Sequence, residues 1–493
     1  MNHCRTPLKA AAMALAVLAG TTSLAWADGT APATQPDVSS EIQALRARID
    51  QLEAQQKQQQ ADHEKEQQQA ALAQTERDAQ QHSQMLDVHG LSAGYDSTSR
   101  RFFIGTDDGS FMLRPWYHLQ FRAVANNRQD FNFNGKGKDE TDTGFEVRRM
   151  KIGLDGNMFG PDFTYFFNWA TSRANGSATV TSSTGATVGT VSNSLGGVPI
   201  LEEAWVKYRF HDTPFYIKAG QIKDPVLHDQ IVSSRYQDST ERSLIADVFV
   251  NGDAFTQGVT FIVDPQKWFR TEAGVNQGMR SANTNFFDTP TNAQDWGVAG
   301  RVELKAFGRW QDYGQVGSVD TKEPLLVFGL GADYSQRGHS GQTVTAVDAM
   351  YADQHGLLLY GAFVSRYTTH NFGIWAQTAT GGSIAATNPA VTGKSTYEYA
   401  PMIEAGYTFN SFVEPFGRFE YMHLQGTKPG SNNWVQAITG GVNFFFHGHR
   451  LKLTPEVIYL PKGFPIDDGA SDVYTSAPGR SEIVGEIQLQ LLI

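Results

Sequence analysis

The sequence is almost free of cysteine: Cys4 is the only one in 493 residues. It lies near the start of a segment with two positive charges, an apolar run from Ala10 to Gly20, and the exit sequence Ala25-Trp26-Ala27. This pattern predicts a secretory signal peptide, residues 1–27, cleaved after Ala27. The exported chain would then contain no cysteine, so it cannot depend on disulfides. Cys4 precedes the apolar run and is therefore not placed as a lipidation site.

The exported chain also lacks long apolar runs. No segment after the signal reaches the roughly 18 consecutive apolar residues that a membrane helix needs. If the protein resides in a membrane, it must span it as a closed β-barrel, since only helices and closed barrels satisfy every backbone group in lipid.

Positive charge is scarce as well. The whole chain carries 40 Lys+Arg against 51 Asp+Glu, a net charge of −11, and removal of Arg5 and Lys9 with the signal makes it more negative. Net charge describes the whole surface, however, whereas a channel is governed by the few charges at its narrowest part. The balance therefore does not exclude a channel for anions.

Enzymatic signatures are missing. We find no G-x-S-x-G, no H-E-x-x-H and no glycine-rich phosphate loop that opens a helix. The 13 histidines are scattered without ligand spacing. The pair in His447-Gly448-His449 is read as solvated turn residues rather than metal ligands. We therefore expect a protein that is not an enzyme and has no cofactor, metal or nucleic-acid partner.

The sequence pattern of residues 28–90 favours an α-helix. Apolar residues recur in steps of four and three, which is a heptad seam of barely two repeats, and a Gln-rich stretch follows it. The members of the seam are Val38, Ile42, Leu45, Ile49 and Leu52. Two interpretations stay open: a polar or disordered linker, and an oligomeric periplasmic coiled coil, which we adopt as the prediction. Such a coil could also tether the protein to peptidoglycan or a partner.

Beyond Val88 the sequence alternates apolar and polar residues. In 301–306, Val302 and Leu304 would share one face, with Arg301, Glu303 and Lys305 on the other. Many such alternating apolar–polar segments in succession favour a barrel with lipid outside and water inside. We predict an all-β barrel over 91–493 with about 16 antiparallel transmembrane strands. They are placed at 111–128, 144–158, 162–172, 200–210, 214–223, 255–263, 267–276, 296–308, 324–335, 342–352, 356–368, 396–409, 415–424, 434–446, 450–460 and 481–493.

The gaps between these strands alternate in length. Every second gap is short, as in 159–161 and 447–449, and the gaps between them are mostly long, as in 224–254. This parity is typical of periplasmic turns and extracellular loops in the outer membrane. Two gaps depart from this alternation. The gap 309–323 is long where a short one is expected, and the gap 336–341 is short where a long one is expected. Aromatic residues crowd the short turns, which predicts an interfacial girdle.

Three motifs resemble a known family, the phosphate-selective porins O and P. They are GFEVRRMKIGLDG at 144–156, LEEAWVKY at 201–208 and IKAGQIKDP at 217–225, followed by Ser233-Ser234-Arg235 and Glu241-Arg242-Ser243-Leu244. The resemblance spans roughly residues 90–493. It implies a homotrimer of 16-stranded barrels in contact with outer-membrane lipid and lipopolysaccharide. It also implies that the third extracellular loop, here 224–254, folds inward to constrict the pore.

Cationic residues cluster on the predicted inward faces and on that loop. Rings of Arg or Lys let pores admit anions and reject cations. The resemblance carries Arg235 and Arg242 onto the constriction, and Lys207 and Lys218 onto a lysine cluster near the periplasmic mouth. The complete set of predicted anion-binding residues is Arg114, Arg122, Arg149, Lys151, Lys207, Arg209, Lys218, Lys223, Arg235 and Arg242.

We therefore predict a passive outer-membrane channel that prefers small anions, phosphate or polyphosphate among them. The alternative within transport is a general porin, or one for sugars or organic acids, in which inward cations pair with carboxylates such as Asp155, Glu203 and Glu303 to stiffen the wall. The acidic residues of 224–254 argue against a strong phosphate filter unless they face the wall.

Overall fold

The computed structural model describes residues 90–96, 101–130, 140–171, 176–181, 187–193, 199–250, 255–279, 281–283, 295–370, 394–425, 433–466, 468, 471–477 and 479–493, and a few isolated positions before them. The predicted signal peptide and nearly all of the predicted coiled coil lie outside the described residues. Both remain predictions. Among the described residues, no helix has the length and apolar character of a membrane span.

The described residues form twenty strands. In chain order, β1 to β20 are Leu91–Asp96, Arg101–Thr106, Met112–Arg128, Glu140–Asn157, Phe163–Thr171, Gly176–Thr181, Thr187–Asn193, Pro199–Arg209, Phe215–Lys223, Phe255–Val263, Phe269–Asn276, Trp296–Phe307, Leu325–Arg337, Ser340–Ala352, Leu357–Thr369, Thr396–Tyr407, Val413–His423, Trp434–Phe445, Leu451–Leu460 and Glu482–Leu492. β6 and β7 pair only with each other, in the connection between β5 and β8.

Sixteen of these strands close a cylinder. Each of β3, β4, β5 and β8 to β20 pairs antiparallel with its neighbours, and β20 returns to β3 with Glu482 opposite Arg128 and Leu492 opposite His118. The prediction of a 16-stranded antiparallel barrel is confirmed, and every predicted strand lies on an observed one. The hairpin β1–β2, which was not predicted, extends the sheet beside the start of β3.

The alternation along each strand places charge inside and apolar side chains outside. On β12, Val302 and Leu304 are 42% and 44% exposed, whereas Arg301 and Glu303 are 4% and 5% exposed. This inversion of the usual soluble arrangement suits a wall with lipid outside and a polar lumen. Aromatic side chains at the short turns are exposed, with Phe159 at 89% and Trp268 at 60%, as the girdle prediction requires.

Candidate functional site

Residues 224–250, the described part of the third loop and here named L3, lie inside the cylinder. L3 contains one helical turn, α1 (His228–Ile231), and a π-helical turn, Ala246–Val250. Its apolar side chains form one continuous cluster with the lumen face of β13 to β20. Members contributed by L3 include Val226, Leu227, Leu244, Ile245 and Phe249. L3 therefore lies against this side of the lumen wall.

The long turn between β12 and β13, residues 308–324, also folds inward. The ring of Tyr313 stacks on that of His228 in L3, with centroids 3.8 Å apart and an interplanar angle of 12°. The Val316 backbone N–H donates to the carbonyl of Tyr236 at 2.9 Å. This placement explains why 309–323 is longer than a connecting turn needs to be: the segment supports L3 from the turn side of the barrel.

The tip of L3 is anchored to the wall by one carboxylate. Glu241 accepts from Arg148 and Arg149 at 2.5 Å each and lies 3.3 Å from Arg122. Burial alone would raise the pKa of Glu241, but the three guanidinium groups hold that pKa at about 2. Arg148 and Arg149 both reach the lumen because the register between β3 and β4 shifts at Gln120/Phe121.

Open space remains between L3 and the opposite wall, and we name it the passage. It consists of two adjoining cavities of about 170 and 280 Å³ that share Trp205, Lys218, Pro225, Ile231 and Glu272. Eight cationic side chains line it, against five carboxylates. The cations are Lys151, Lys207, Lys218, Lys223, Arg235, Arg242, Arg270 and Arg301, and the carboxylates are Glu202, Glu203, Asp264, Glu272 and Glu303.

Among the described residues, no carboxylate lies within 4.0 Å of the charged group of Arg235 or of Lys207. Arg235 lies over the ring of Trp116, 4.1 Å from its centroid, and its Nε donates to the Ser233 hydroxyl at 3.1 Å. Lys207 lies over Tyr216 and Trp205, 5.4 and 5.9 Å from their ring centroids. Lys207 is directly opposite Lys218 across β8 and β9. These cations have charge to offer a passing anion.

The other predicted cations have partners in the protein. Lys151 pairs with Glu202 at 2.7 Å, and Lys218 with Glu272 at 2.5 Å. Lys223 and Arg242 donate to L3 backbone carbonyls, Lys223 to Ile231 and Arg242 to Val232, both at 2.9 Å. These four residues line the passage and at the same time hold its walls in place.

Four predicted cations lie outside the passage lining. Arg122 and Arg149 are enclosed with Glu241, and Arg122 also pairs with Glu486 at 3.0 Å. Arg114 pairs with Asp155 at 2.8 Å, and Arg209 pairs with Asp162 at 2.5 Å, both near the short turns. The contacts of Arg122 and Arg149 give them a structural role.

Sequence reasoning missed three passage residues, two of which its own rule for inward cations could have found. Arg270 and Arg301 lie inward on β11 and β12, and both pair with Glu303. Trp205 shares the inward face of β8 with Lys207, but an aromatic residue gave no charge signal. The acidic residues of L3 do not line the passage: Asp224, Asp229, Asp238 and Asp247 are all buried, and Asp229 accepts from the Ser243 hydroxyl at 2.6 Å.

Residues 121–315 match the family described as "Phosphate-selective porin O and P". The sequence resemblance to the porin O and P family is confirmed. The matched segment and the closed barrel together support an outer-membrane channel. No curated protein sequence matches the chain.

Several solved porin structures are similar in fold. The anion-selective porin from Comamonas acidovorans is 10% identical with a TM-score of 0.49, covering 77% of this chain and 99% of its own. The outer membrane channel DcaP of Acinetobacter baumannii is 10% identical with a TM-score of 0.45, covering 78% and 99%. OmpF of Salmonella typhi, in complex with daunomycin, is 14% identical with a TM-score of 0.44, covering 78% and 99%.

Proposed function

We propose that the protein is a passive channel of the outer membrane that prefers small anions and conducts them between L3 and the wall formed by β3 to β5 and β8 to β12. The observation that carries this proposal is the excess of cations over carboxylates along the passage. Field lines concentrate in a narrow polar passage, so a local excess of positive charge outweighs the negative net charge of the chain. Phosphate and polyphosphate belong to the accepted anions.

We assign the largest share of the anion selectivity to Arg235 and Lys207. A unit charge about 5 Å from a permeating anion stabilises it by roughly 1 kcal/mol in a wet pore, between the bulk-water and protein-surface limits. That corresponds to roughly a fivefold change in occupancy per charge. Cations already paired with carboxylates contribute less, because their fields are partly cancelled.

The test is the reversal potential of reconstituted channels in a KCl gradient. We expect the wild type to prefer chloride over potassium, and Arg235→Ala with Lys207→Ala to reduce the permeability ratio by roughly fivefold or more. Arg480→Ala is the matched control, since Arg480 is half exposed and already paired with Asp130 at 2.9 Å. A wild-type channel that prefers potassium would contradict the proposal.

A general porin without phosphate selectivity is the second candidate. The five carboxylates in the passage lining favour it, because a strong phosphate filter would be opposed by their charge. Addition of phosphate during chloride conduction separates the two candidates. A phosphate site predicts block at concentrations well below those of chloride, and a general porin predicts none.

We further propose that the channel is a homotrimer embedded among lipid and lipopolysaccharide. In support, a depression of about 1030 Å³ lies on the outer face where β18 to β20 meet β3 and β4, so that a second barrel can approach closely. Its lining includes Ala123, Ala125, Gly144, Gly440 and Gly485.

A bulky residue in this depression should oppose assembly. A Cβ at Gly440 would meet no atom within 4 Å, so Gly440→Trp should leave the barrel intact while filling the depression. We expect light scattering in detergent to show loss of trimer. If the depression instead holds a lipid chain, Gly440→Trp should leave the trimer unaffected.

A further inference from the structure

Three aromatic side chains form a continuous row on the lumen wall beside L3. The rings of Trp116 on β3 and Phe166 on β5 stack with centroids 5.9 Å apart and an interplanar angle of 28°. Phe166 and Trp205 on β8 stack at 5.5 Å and 15°, and these two residues are direct cross-strand partners. We name these three residues the aromatic row. All three line the 170 Å³ cavity of the passage.

The sequence of β4, which lies between β3 and β5, makes the row possible. Trp116 is opposite Gly153. A Cβ at Gly153 would lie 2.1 Å from Cε2 and Cζ2 of Trp116, far closer than any van der Waals contact. The indole therefore lies over a strand position that has no side chain, and reaches across β4 to Phe166.

Cations stand at both ends of the row. Arg235 covers Trp116 at 4.1 Å from the ring centroid, while Lys207 and Lys218 lie 5.9 and 6.0 Å from that of Trp205. Stacking on an indole orients a guanidinium and leaves its in-plane N–H donors available to a carboxylate. The Trp116 indole N–H has no hydrogen-bond partner among the described residues, although this side chain is 6% exposed.

This combination selects among possible ligands. A hydrated inorganic phosphate uses the cations but gains nothing from three aromatic rings. A neutral sugar can pack on aromatic rings but leaves the cations without a partner. A planar aromatic ring that carries a carboxylate uses both, because it extends the stack while its charge lies against Arg235 or Lys207.

We infer that the aromatic row is a binding site for planar aromatic carboxylates in transit through the passage. The inference rests on the proposed anion preference and adds a substrate class to it. Apolar and stacking contacts supply a shallow site in series with the cations. Such a site concentrates the solute without trapping it, as conduction requires.

The experiment compares two monoanions of similar size in bilayers containing the full-length protein. Benzoate is planar and aromatic, whereas cyclohexanecarboxylate carries the same charge on a ring that cannot stack. Each is titrated against the chloride current, and the ratio of the two half-blocking concentrations is measured. Aromatic pairing predicts that benzoate blocks at a concentration roughly two- to tenfold lower.

Substitutions in the aromatic row test whether the preference for benzoate arises there. Trp205→Leu keeps an apolar side chain but removes the aromatic ring, so the ratio should fall towards one, and Phe166→Leu should act in the same way. The matched control is Trp169→Leu, because Trp169 is 36% exposed on the outer face of β5 and should retain the wild-type ratio.

The outcomes separate this inference from the proposed function. Equal block by both anions in a chloride-preferring wild type overturns the aromatic site and leaves the anion channel intact. A ratio unchanged in both Trp205→Leu and Phe166→Leu also overturns it, since the discrimination would then lie elsewhere. A wild type without chloride preference contradicts the proposed function itself. Should either variant fail to assemble, the wild-type comparison still decides.

Discussion

Glu241→Ala is expected to release the tip of L3 and raise the single-channel conductance. The substitution removes the carboxylate that Arg148 and Arg149 share in a buried site, whereas Arg122 keeps its pair with Glu486. Breaking a buried ion pair by removing one partner costs about 3–5 kcal/mol. The barrel should persist, because its interstrand hydrogen bonds do not involve L3.

The measurements are single-channel conductance and the rate at which a protease cleaves within L3. Glu241→Gln should give an intermediate result, since it keeps the shape of the side chain and one accepting oxygen but removes the charge and the second acceptor. Glu140→Ala is the matched control, because Glu140 lies at the partly exposed end of β4, 3.6 Å from Arg128. An exposed pair of this kind contributes at most about 1 kcal/mol. Wild-type conductance and protease resistance in Glu241→Ala would show that L3 is held elsewhere.

The same anchor predicts a pH dependence of a definite sign. The pKa of Glu241 lies at about 2 when L3 is docked, below its ordinary value of 4.5. A lowered pKa stabilises the docked state fully above the ordinary pKa, and that contribution, about 3 kcal/mol, is lost as the pH falls from about 4.5 towards 2. The wild-type conductance should therefore approach that of Glu241→Gln in acid and differ from it most at neutral pH.

The sequence predicted the barrel well because lipid imposes a strict rule on each strand. Side chains alternate between lipid and lumen, so Val302 and Leu304 had to face outward once Arg301 and Glu303 faced inward. The length of the connections then assigned the strand ends to the two sides of the membrane. The hairpin β1–β2 escaped prediction because its strands, Leu91–Asp96 and Arg101–Thr106, are shorter than a membrane-spanning strand.

The same rule could not predict which inward cations line the passage and which anchor L3. Arg122 and Lys151 both occupy inward positions on neighbouring strands, but Arg122 is enclosed at the tip of L3 while Lys151 lines the passage. The difference depends on the path of L3, which brings Glu241 to arginines 93 and 119 residues away in the chain. Alternation also assigned only one of Arg148 and Arg149 to the lumen, whereas the bulge in the β3–β4 register turns both inward.

The start of L3 is held by the buried arginine Arg301. Removing its side chain should destabilise the protein as much as Glu241→Ala does. Arg301 makes two contacts of 2.8 Å with the two carboxylate oxygens of Asp348 and donates to the Val226 carbonyl at 2.9 Å and the Tyr313 hydroxyl at 3.1 Å. It therefore joins β12, β14, L3 and the 308–324 turn. Arg301→Leu leaves Asp348, whose side chain is fully buried, without its cation.

We expect Arg301→Leu to lose about 3–5 kcal/mol of stability and to lower the temperature at which the folded band disappears in gel electrophoresis after a fixed heating time. Arg309→Leu is the control, since Arg309 is 42% exposed and pairs with Asp312 within one turn of chain. The double variant Arg301→Leu with Asp348→Leu decides the cause. Replacing both partners of a buried pair with apolar groups is often close to neutral, so most of the lost stability should return. If the double variant is as unstable as Arg301→Leu, the arginine acts through its contacts with Val226 and Tyr313 rather than by neutralising Asp348.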